Sequence, residues 1–250
     1  MKQVLLVTGS SGIAAATARL WSTENPVFIV GVNAAECNDL ATELHEADCA
    51  CADVRDEFAV QKAVSGCLQR FGRIDALFNV AGISARSAGD GPLHECKAEA
   101  WDLVMDVNAK GTFLMCREVL RVWTRSAQGG VILNCGSVLT QRPQRDYFAT
   151  VGYAASKGAI EAMSRSAAAY YAPAGIRINV IAPGLARTPM SARAQADPHI
   201  TEYITHKQPL SKGMLTPEAI ARTARFLLSS DSSSMTGQIV TVDGGWTVSE

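Results

Sequence analysis

The sequence predicts an α/β fold: a doubly wound parallel sheet of about seven strands with helices on both faces. Short apolar runs alternate with longer segments of helical period along nearly the whole chain. The apolar runs are continuous and not interrupted by polar residues, which indicates strands that are buried on both faces. Strands that are separated by helices pair in parallel, because each helix carries the chain back to the end of the sheet at which the strands begin.

Each predicted strand is a short apolar run that ends near a glycine or a polar residue. In chain order these runs are 4–7, 27–32, 49–52, 74–79, 131–134, 176–181 and 238–242. The segments between them repeat apolar residues every three or four positions, which is the spacing of one helix face. They predict helices at 13–23, 34–47, 57–71, 98–126, 153–171 and 217–229. The last helix has a defined start, since Thr216 suits the N-cap and Pro217 the first helical position.

Residues 189–215 show neither period and contain Pro198 and Pro209, so they are predicted to be irregular. A long connection of this kind is usually functional or mobile. The chain has no internal repeat, low-complexity tract or linker. We therefore predict a single domain over residues 1–250.

Composition excludes several classes of protein. The net charge is −1, which gives no basic surface for nucleic acid or an anionic membrane. The apolar start of the chain lacks a cleavage region, and no run of about 18 apolar residues could span a membrane. The seven cysteines have no paired C-x-x-C spacing, which argues against disulfides and a zinc site and favours a cytoplasmic protein.

A glycine-rich turn, Gly9-Ser10-Ser11-Gly12, joins the first strand to the first helix. The backbone N–H groups of such a turn can approach a pyrophosphate at the positive end of the helix. Gly9, Ser11, Gly12 and Ile13 are therefore candidate phosphate-binding residues. An ordinary turn is the alternative, because glycine and serine mark many turns.

Tyr153 and Lys157 are four residues apart in a segment of helical period, so their side chains share one helix face. A lysine ammonium favours the ionised form of a nearby phenol. We expect it to lower the pKa of Tyr153 from the usual value of about 10, which makes the tyrosine a candidate proton donor. The alternative is a solvated surface pair, the commoner arrangement for these residue types.

Further short motifs accompany the turn and the tyrosine–lysine pair: Asp53-Val54, Asn79-Val80-Ala81-Gly82, Asn108, Ser137, Pro183-Gly184 with Thr188, and Asp243-Gly244-Gly245-Trp246. Their order and spacing resemble those of the short-chain dehydrogenase/reductase family, from residue 4 to residue 246. The resemblance implies a Rossmann-type sheet and an NAD(P)-dependent oxidoreductase that transfers a hydride between nicotinamide and a small secondary alcohol or ketone.

The resemblance also implies roles for individual residues. Tyr153 would be the general acid/base, and Lys157 would hold it partly ionised and bind the nicotinamide ribose. Ser137 would donate to the substrate oxygen, and Asn108 would fix a water in a proton relay. The implied cofactor contacts are Gly9, Ser11, Gly12, Ile13, Asp53, Val54, Asn79, Ala81, Gly82, Tyr153, Lys157, Pro183, Gly184 and Thr188. No metal is expected.

The choice of nicotinamide cofactor depends on the end of the second strand, where an acidic residue favours NAD and a nearby arginine favours NADP. Gly31 stands at the acidic position, and neither Val32, Asn33 nor the glycine turn supplies a cation. The sequence therefore favours NAD(H) over NADP(H), with Asn33 as a neutral partner for the ribose diol. The turn is one residue shorter than the family pattern, and Ala14 replaces its third glycine.

On the substrate side, residues 138–152 and 189–215 are expected to wall the pocket, the second as a mobile cover. Arg142 or Arg145 could bind an anionic substrate, although a solvated arginine is commoner. The resemblance implies a homotetramer. Two alternatives stay open: a catalytically weak nucleotide-binding sensor or scaffold of the same fold, and an epimerase or dehydratase on that fold.

Overall fold

The computed structural model describes residues 2–249, and within them seven strands form one sheet. They are β1 (Leu5–Thr8), β2 (Val27–Gly31), β3 (Ala47–Cys51), β4 (Ala76–Asn79), β5 (Gly130–Cys135), β6 (Ile176–Pro183) and β7 (Ile239–Val242). Their order is β3-β2-β1-β4-β5-β6-β7, and every neighbouring pair is parallel. The chain changes direction across the sheet between β1 and β4, and in such sheets a crevice forms at the carboxyl ends of the strands at this point.

The α-helices lie on both faces of this sheet. They are α1 (Gly12–Ser22), α2 (Ala34–Glu43), α3 (Glu57–Phe71), α4 (Ala98–Val104), α5 (Gly111–Ser126), α6 (Arg145–Phe148), α7 (Val151–Tyr171), α8 (Ala192–Ala196), α9 (Pro198–Lys207) and α10 (Pro217–Leu228).

Alternate strand positions fill two core layers, which explains the continuous apolar runs. Leu6 and Phe28 belong to the layer on the α3 and α5 face, together with Trp123. Leu5 and Ile29 belong to the layer on the α1 and α10 face. The four strand residues are at most 3% exposed. The predicted doubly wound α/β fold is confirmed.

The predicted helix 98–126 contains a wider turn. A π-helical segment, Met105–Lys110, joins α4 to α5. Single π-helical turns occur frequently at functional sites. This one holds Asn108, whose side-chain amide bonds both backbone groups of Ile83 and the hydroxyl of Ser156 at 2.9–3.0 Å. The sequence predicts one unbroken helix because the apolar pattern on each side of the segment stays helical.

Residues 189–215 are largely helical, so the prediction of an irregular segment is wrong. Pro198 lies in the first turn of α9, where a missing N–H leaves no hydrogen bond unmade, and Asp197 caps the helix. Ile200 and Ile204 pack with Trp246 in a small third core. The buried Gln208 side chain then ties the end of α9 to the backbone of Leu185. The mobility of this cover stays a prediction.

Candidate active site

A cavity of about 480 Å³ lies at the carboxyl ends of β1, β4, β5 and β6. It brings the glycine turn and the tyrosine–lysine pair into one space, although more than 140 residues separate them in the sequence. The predicted site residues that line it are Gly9, Ser11, Gly12, Ile13, Ala81, Gly82, Ser137, Tyr153, Lys157, Pro183, Gly184 and Thr188. Ligands of open α/β sheets bind in this position.

The shortened turn keeps the shape that a pyrophosphate needs. Gly9 and Gly12 have φ angles of 104° and 54°, which residues other than glycine rarely adopt. A Cβ atom on Gly12 would also lie only 2.9 Å from Cγ2 of Thr188. Ser11 precedes α1 without a side-chain cap hydrogen bond, so the start of the helix faces the cavity uncapped. The residues present therefore fit a dinucleotide phosphate.

Tyr153 and Lys157 lie on the first two turns of α7, and both side chains reach the cavity. The Lys157 ammonium is 5.6 Å from the centre of the Tyr153 ring and donates to the carbonyl oxygen of Cys135 at 2.7 Å. Ser137, which follows β5, lines the same cavity, and its hydroxyl oxygen accepts from the backbone N–H of Leu139 at 3.2 Å. The surface-pair alternative is wrong, since Lys157 is only 3% exposed.

Burial shifts the pKa of Tyr153 in the direction opposite to the predicted one. Desolvation raises the pKa of the phenol above its usual range, and the nearby Ser137 hydroxyl opposes that shift. Burial also lowers the pKa of Lys157. The prediction that the ammonium lowers the pKa of Tyr153 is therefore wrong for the protein alone, because the phenol is desolvated and the ammonium bonds a carbonyl oxygen. The phenol is protonated at neutral pH.

The start of α7 is held by an acid that the sequence analysis missed. The carboxylate of Asp90 accepts from the backbone N–H groups of Gly152 and Tyr153 at 2.9 and 2.8 Å. The local N-cap residue, Thr150, makes no side-chain cap bond. Asp90 is 62 residues away from Gly152 in the sequence, so no local capping signal reveals it. It fixes the position of the helix that presents Tyr153.

Four other predicted contacts lie outside the residues that line the cavity. Asp53 is held by Arg55, whose hydrogen bond lowers the pKa of the carboxyl, and Val54 is buried in the core. Asn33 caps α2 by accepting from two backbone N–H groups. Asn79 is buried and donates to Asn134 at 2.8 Å, which supports neighbouring strand ends. Their contacts with a cofactor stay predictions.

Asn108 also stands behind the cavity wall. Its amide is fully used by Ile83 and Ser156, so it braces the loop after β4 against the catalytic helix. The water relay that the resemblance implies stays a prediction.

Within residues 2–249, no three His, Cys, Asp or Glu side chains are grouped to hold a metal ion. In the same part of the chain, no helix combines the length and apolar character that crossing a bilayer requires.

Comparison with known proteins places this geometry in a family. Residues 7–247 match the family model described as "Enoyl-(Acyl carrier protein) reductase". The chain is 36% identical to cis-4-hydroxycyclohexanecarboxylate dehydrogenase of Sinomonas cyclohexanicum, over 98% of this chain and 97% of that protein. It is 35% identical to 2-(R)-hydroxypropyl-CoM dehydrogenase of Xanthobacter autotrophicus, over 99% of both chains.

The fold is also similar to that of a reductase of known structure. The structure of 3-ketoacyl-(acyl-carrier-protein) reductase from Brucella melitensis, complexed with NADH, superposes with a TM-score of 0.87 and 30% identity, covering 98% of both chains. The chain belongs to the short-chain dehydrogenase/reductase family.

As a short-chain dehydrogenase/reductase, the protein is an NAD(P)-dependent oxidoreductase that transfers a hydride between nicotinamide and a small secondary alcohol or ketone. This confirms the predicted family, fold and reaction class.

Proposed function

We propose that Tyr153 exchanges a proton with the substrate oxygen while Ser137 donates a hydrogen bond to the same oxygen. The observation that supports this most strongly is the single cavity that contains the phosphate turn, Ser137, Tyr153 and Lys157. Bound nicotinamide would supply or accept the hydride. The protonated phenol supplies the proton for ketone reduction, and Ser137 stabilises the negative charge that develops on the oxygen.

This role predicts different pH dependences for the two directions. Because burial keeps Tyr153 protonated, kcat for ketone reduction should stay level from about pH 6 to about pH 8. Alcohol oxidation needs the phenolate, so its kcat should rise with pH from about 7 to about 10. Initial rates in both directions at constant ionic strength measure this. An oxidation rate that stays level or falls over that range contradicts the assignment.

NAD(H) is the proposed cofactor, and Glu36 is its proposed determinant. One oxygen of the Glu36 carboxylate accepts from Ser10 in the glycine turn at 2.8 Å, and the other accepts from Asn33 beyond β2 at 3.0 Å. The acid therefore lies between the phosphate turn and the strand end, where the adenosine ribose binds in such folds. A carboxylate can accept from a ribose diol, whereas it repels a phosphate at the same place.

The surroundings of Gly31 explain why the acid stands on α2 and not at the strand end. A Cβ atom on Gly31 would lie 2.8 Å from the sulfur of Cys37, which is fully buried. A side chain there would require the Cys37 side chain to move. Glu36 lies in the first turn of α2, and its side chain reaches the end of β2 from that helix.

Equilibrium binding of the two reduced cofactors tests this proposal. We expect NADH to bind at least about tenfold more tightly than NADPH at low ionic strength. Glu36→Gln should shrink that ratio. Glu43→Gln is the matched control, because Glu43 lies at the other end of α2 and pairs with Arg19. Equal affinities in the wild type, or an unchanged ratio in Glu36→Gln, would show that Glu36 does not select the cofactor.

We also propose that the protein is a cytoplasmic homotetramer. Trp101 on α4 and Phe113 on α5 are 37% and 43% exposed, which leaves large apolar side chains on the outer helices. Light scattering coupled to size exclusion measures the number of subunits.

A further inference from the structure

Two arginines from distant segments meet at the cavity wall. Arg86 belongs to a short turn after β4, and Arg193 belongs to α8. Their NH2 nitrogens both donate to the carbonyl oxygen of Tyr147, at 2.9 and 3.0 Å. Both side chains line the cavity that contains Tyr153. The two guanidinium groups are therefore neighbours at one place in the substrate pocket.

No ion pair neutralises either arginine in the part of the chain that the structure describes. Among residues 2–249, neither forms an ion pair, whereas arginines such as Arg19, Arg55 and Arg225 do. Burial lowers the pKa of Arg86, the charge of Arg193 adds to that effect, and the charge of Asp90 opposes it without forming an ion pair. Two adjacent positive charges that share one neutral acceptor repel each other, and a bound anion would remove that cost.

The two arginines that the sequence suggested for an anionic substrate lie elsewhere. Arg142 and Arg145 are not among the residues that line the cavity. Arg145 pairs with Asp146, and its side chain is 93% exposed. The rest of the wall near Tyr153 is mainly apolar, with Val138, Leu139, Leu185 and Trp246 among its members. The pocket thus combines an apolar body, a pair of arginines, and the proton donor Tyr153 with the Lys157 ammonium beside it.

We propose that the substrate is a hydroxy acid or keto acid whose anionic group is bound jointly by Arg86 and Arg193 while its alcohol or carbonyl lies at Tyr153. This inference rests on the proposed role of Tyr153. Guanidinium groups match carboxylates in shape and form paired hydrogen bonds to them. The hydrocarbon between the two polar ends would lie against the apolar wall.

Keto acids of increasing chain length, each compared with its uncharged carboxamide, test whether the enzyme recognises the anionic group. They do so without assuming a distance between that group and the ketone. The probes are 4-oxopentanoate, 5-oxohexanoate and 6-oxoheptanoate, each compared with its own carboxamide at equal NADH. We expect at least one acid to exceed its amide about tenfold or more in kcat/KM. Arg86→Gln, Arg193→Gln and the double variant should reduce that ratio, whereas Arg145→Gln should not. Arg86→Lys and Arg193→Lys, which keep the charge, should retain part of it.

Binding provides a second readout that needs no turnover. In a Tyr153→Phe background saturated with NADH, calorimetry should show the preferred acid binding more tightly than its amide. Adding Arg86→Gln and Arg193→Gln should remove the difference while NADH affinity, which also reports folding, stays unchanged.

The outcomes separate the two proposals. If wild type reduces acids and amides equally well and binds them equally, the anion site is refuted while the role of Tyr153 stands. A loss of NADH affinity in the folded arginine variants would also refute it, because the cations would then serve the cofactor. If Tyr153→Phe turns over like wild type, the catalytic proposal fails, and the calorimetric comparison still decides the anion site.

Discussion

Replacing Tyr153 by phenylalanine should lower kcat about 10³-fold or more while NADH affinity changes little. The phenol lies in the same cavity as Ser137, and general acid–base groups contribute a factor of roughly 10²–10⁴ to such rates. Phenylalanine keeps the ring and its packing, so only the proton donor is lost. Steady-state rates and NADH fluorescence titration measure the two quantities.

Tyr170→Phe is the control for this change. Tyr170 lies on the same helix but is 78% exposed, so removal of its hydroxyl should leave kcat at the wild-type value. A Tyr153→Phe enzyme with more than about a tenth of wild-type kcat would show that another group moves the proton.

Replacing Lys157 by methionine should lower kcat about 10²-fold and weaken NADH binding, without loss of stability. The ammonium is buried in the cavity wall with the Cys135 carbonyl as its partner. Burial lowers the pKa of Lys157, so keeping it protonated costs folding free energy at every pH below that lowered value. Methionine has a similar length and removes that cost, so the free energy of unfolding should hold or rise.

Lys207→Met is the matched control for a buried lysine. Lys207 is 5% exposed and donates to the backbone carbonyl of Ser249, and it does not line the cavity. Its replacement should leave kcat and NADH affinity unchanged. If Lys157→Met and Lys207→Met have equal effects on activity, or if Lys157→Met loses activity only in step with unfolding, then Lys157 has a structural role alone.

The sequence predicts the fold well because the fold depends on local patterns. The continuous apolar run 27–32 indicates a strand that is covered on both faces, and residues 27–30 of β2 do divide between the two core layers, whereas Val32 lies beyond the strand and is exposed. The prediction from local sequence patterns is wrong at residues 189–215, which contain Pro198 and Pro209. Asp197-Pro198 starts a helix by the same pattern of N-cap residue and proline as Thr216-Pro217, but the segment around it shows no clear helical period in the sequence.

The site is predictable in part for the same reason. The glycine turn and the Tyr153–Lys157 pair each lie within a few residues, and the structure brings them together. Asp90, Arg86 and Arg193 act across long separations, so neither spacing nor composition signals them. Spacing also cannot report burial, and for that reason the expected direction of the Tyr153 pKa shift was wrong.

The proposed mechanism joins hydride transfer from a bound nicotinamide to proton transfer from Tyr153 in one cavity. Deuterium tracing tests it most directly, with NADH deuterated at both C4 positions and each ketone of the acid and amide series. Wild type should place one deuterium on the carbinol carbon of the product alcohol, as seen by NMR, and Tyr153→Phe should form almost no labelled alcohol in the same time. Wild type that binds NADH yet labels no alcohol, or Tyr153→Phe that labels it as fast as wild type, would contradict the account.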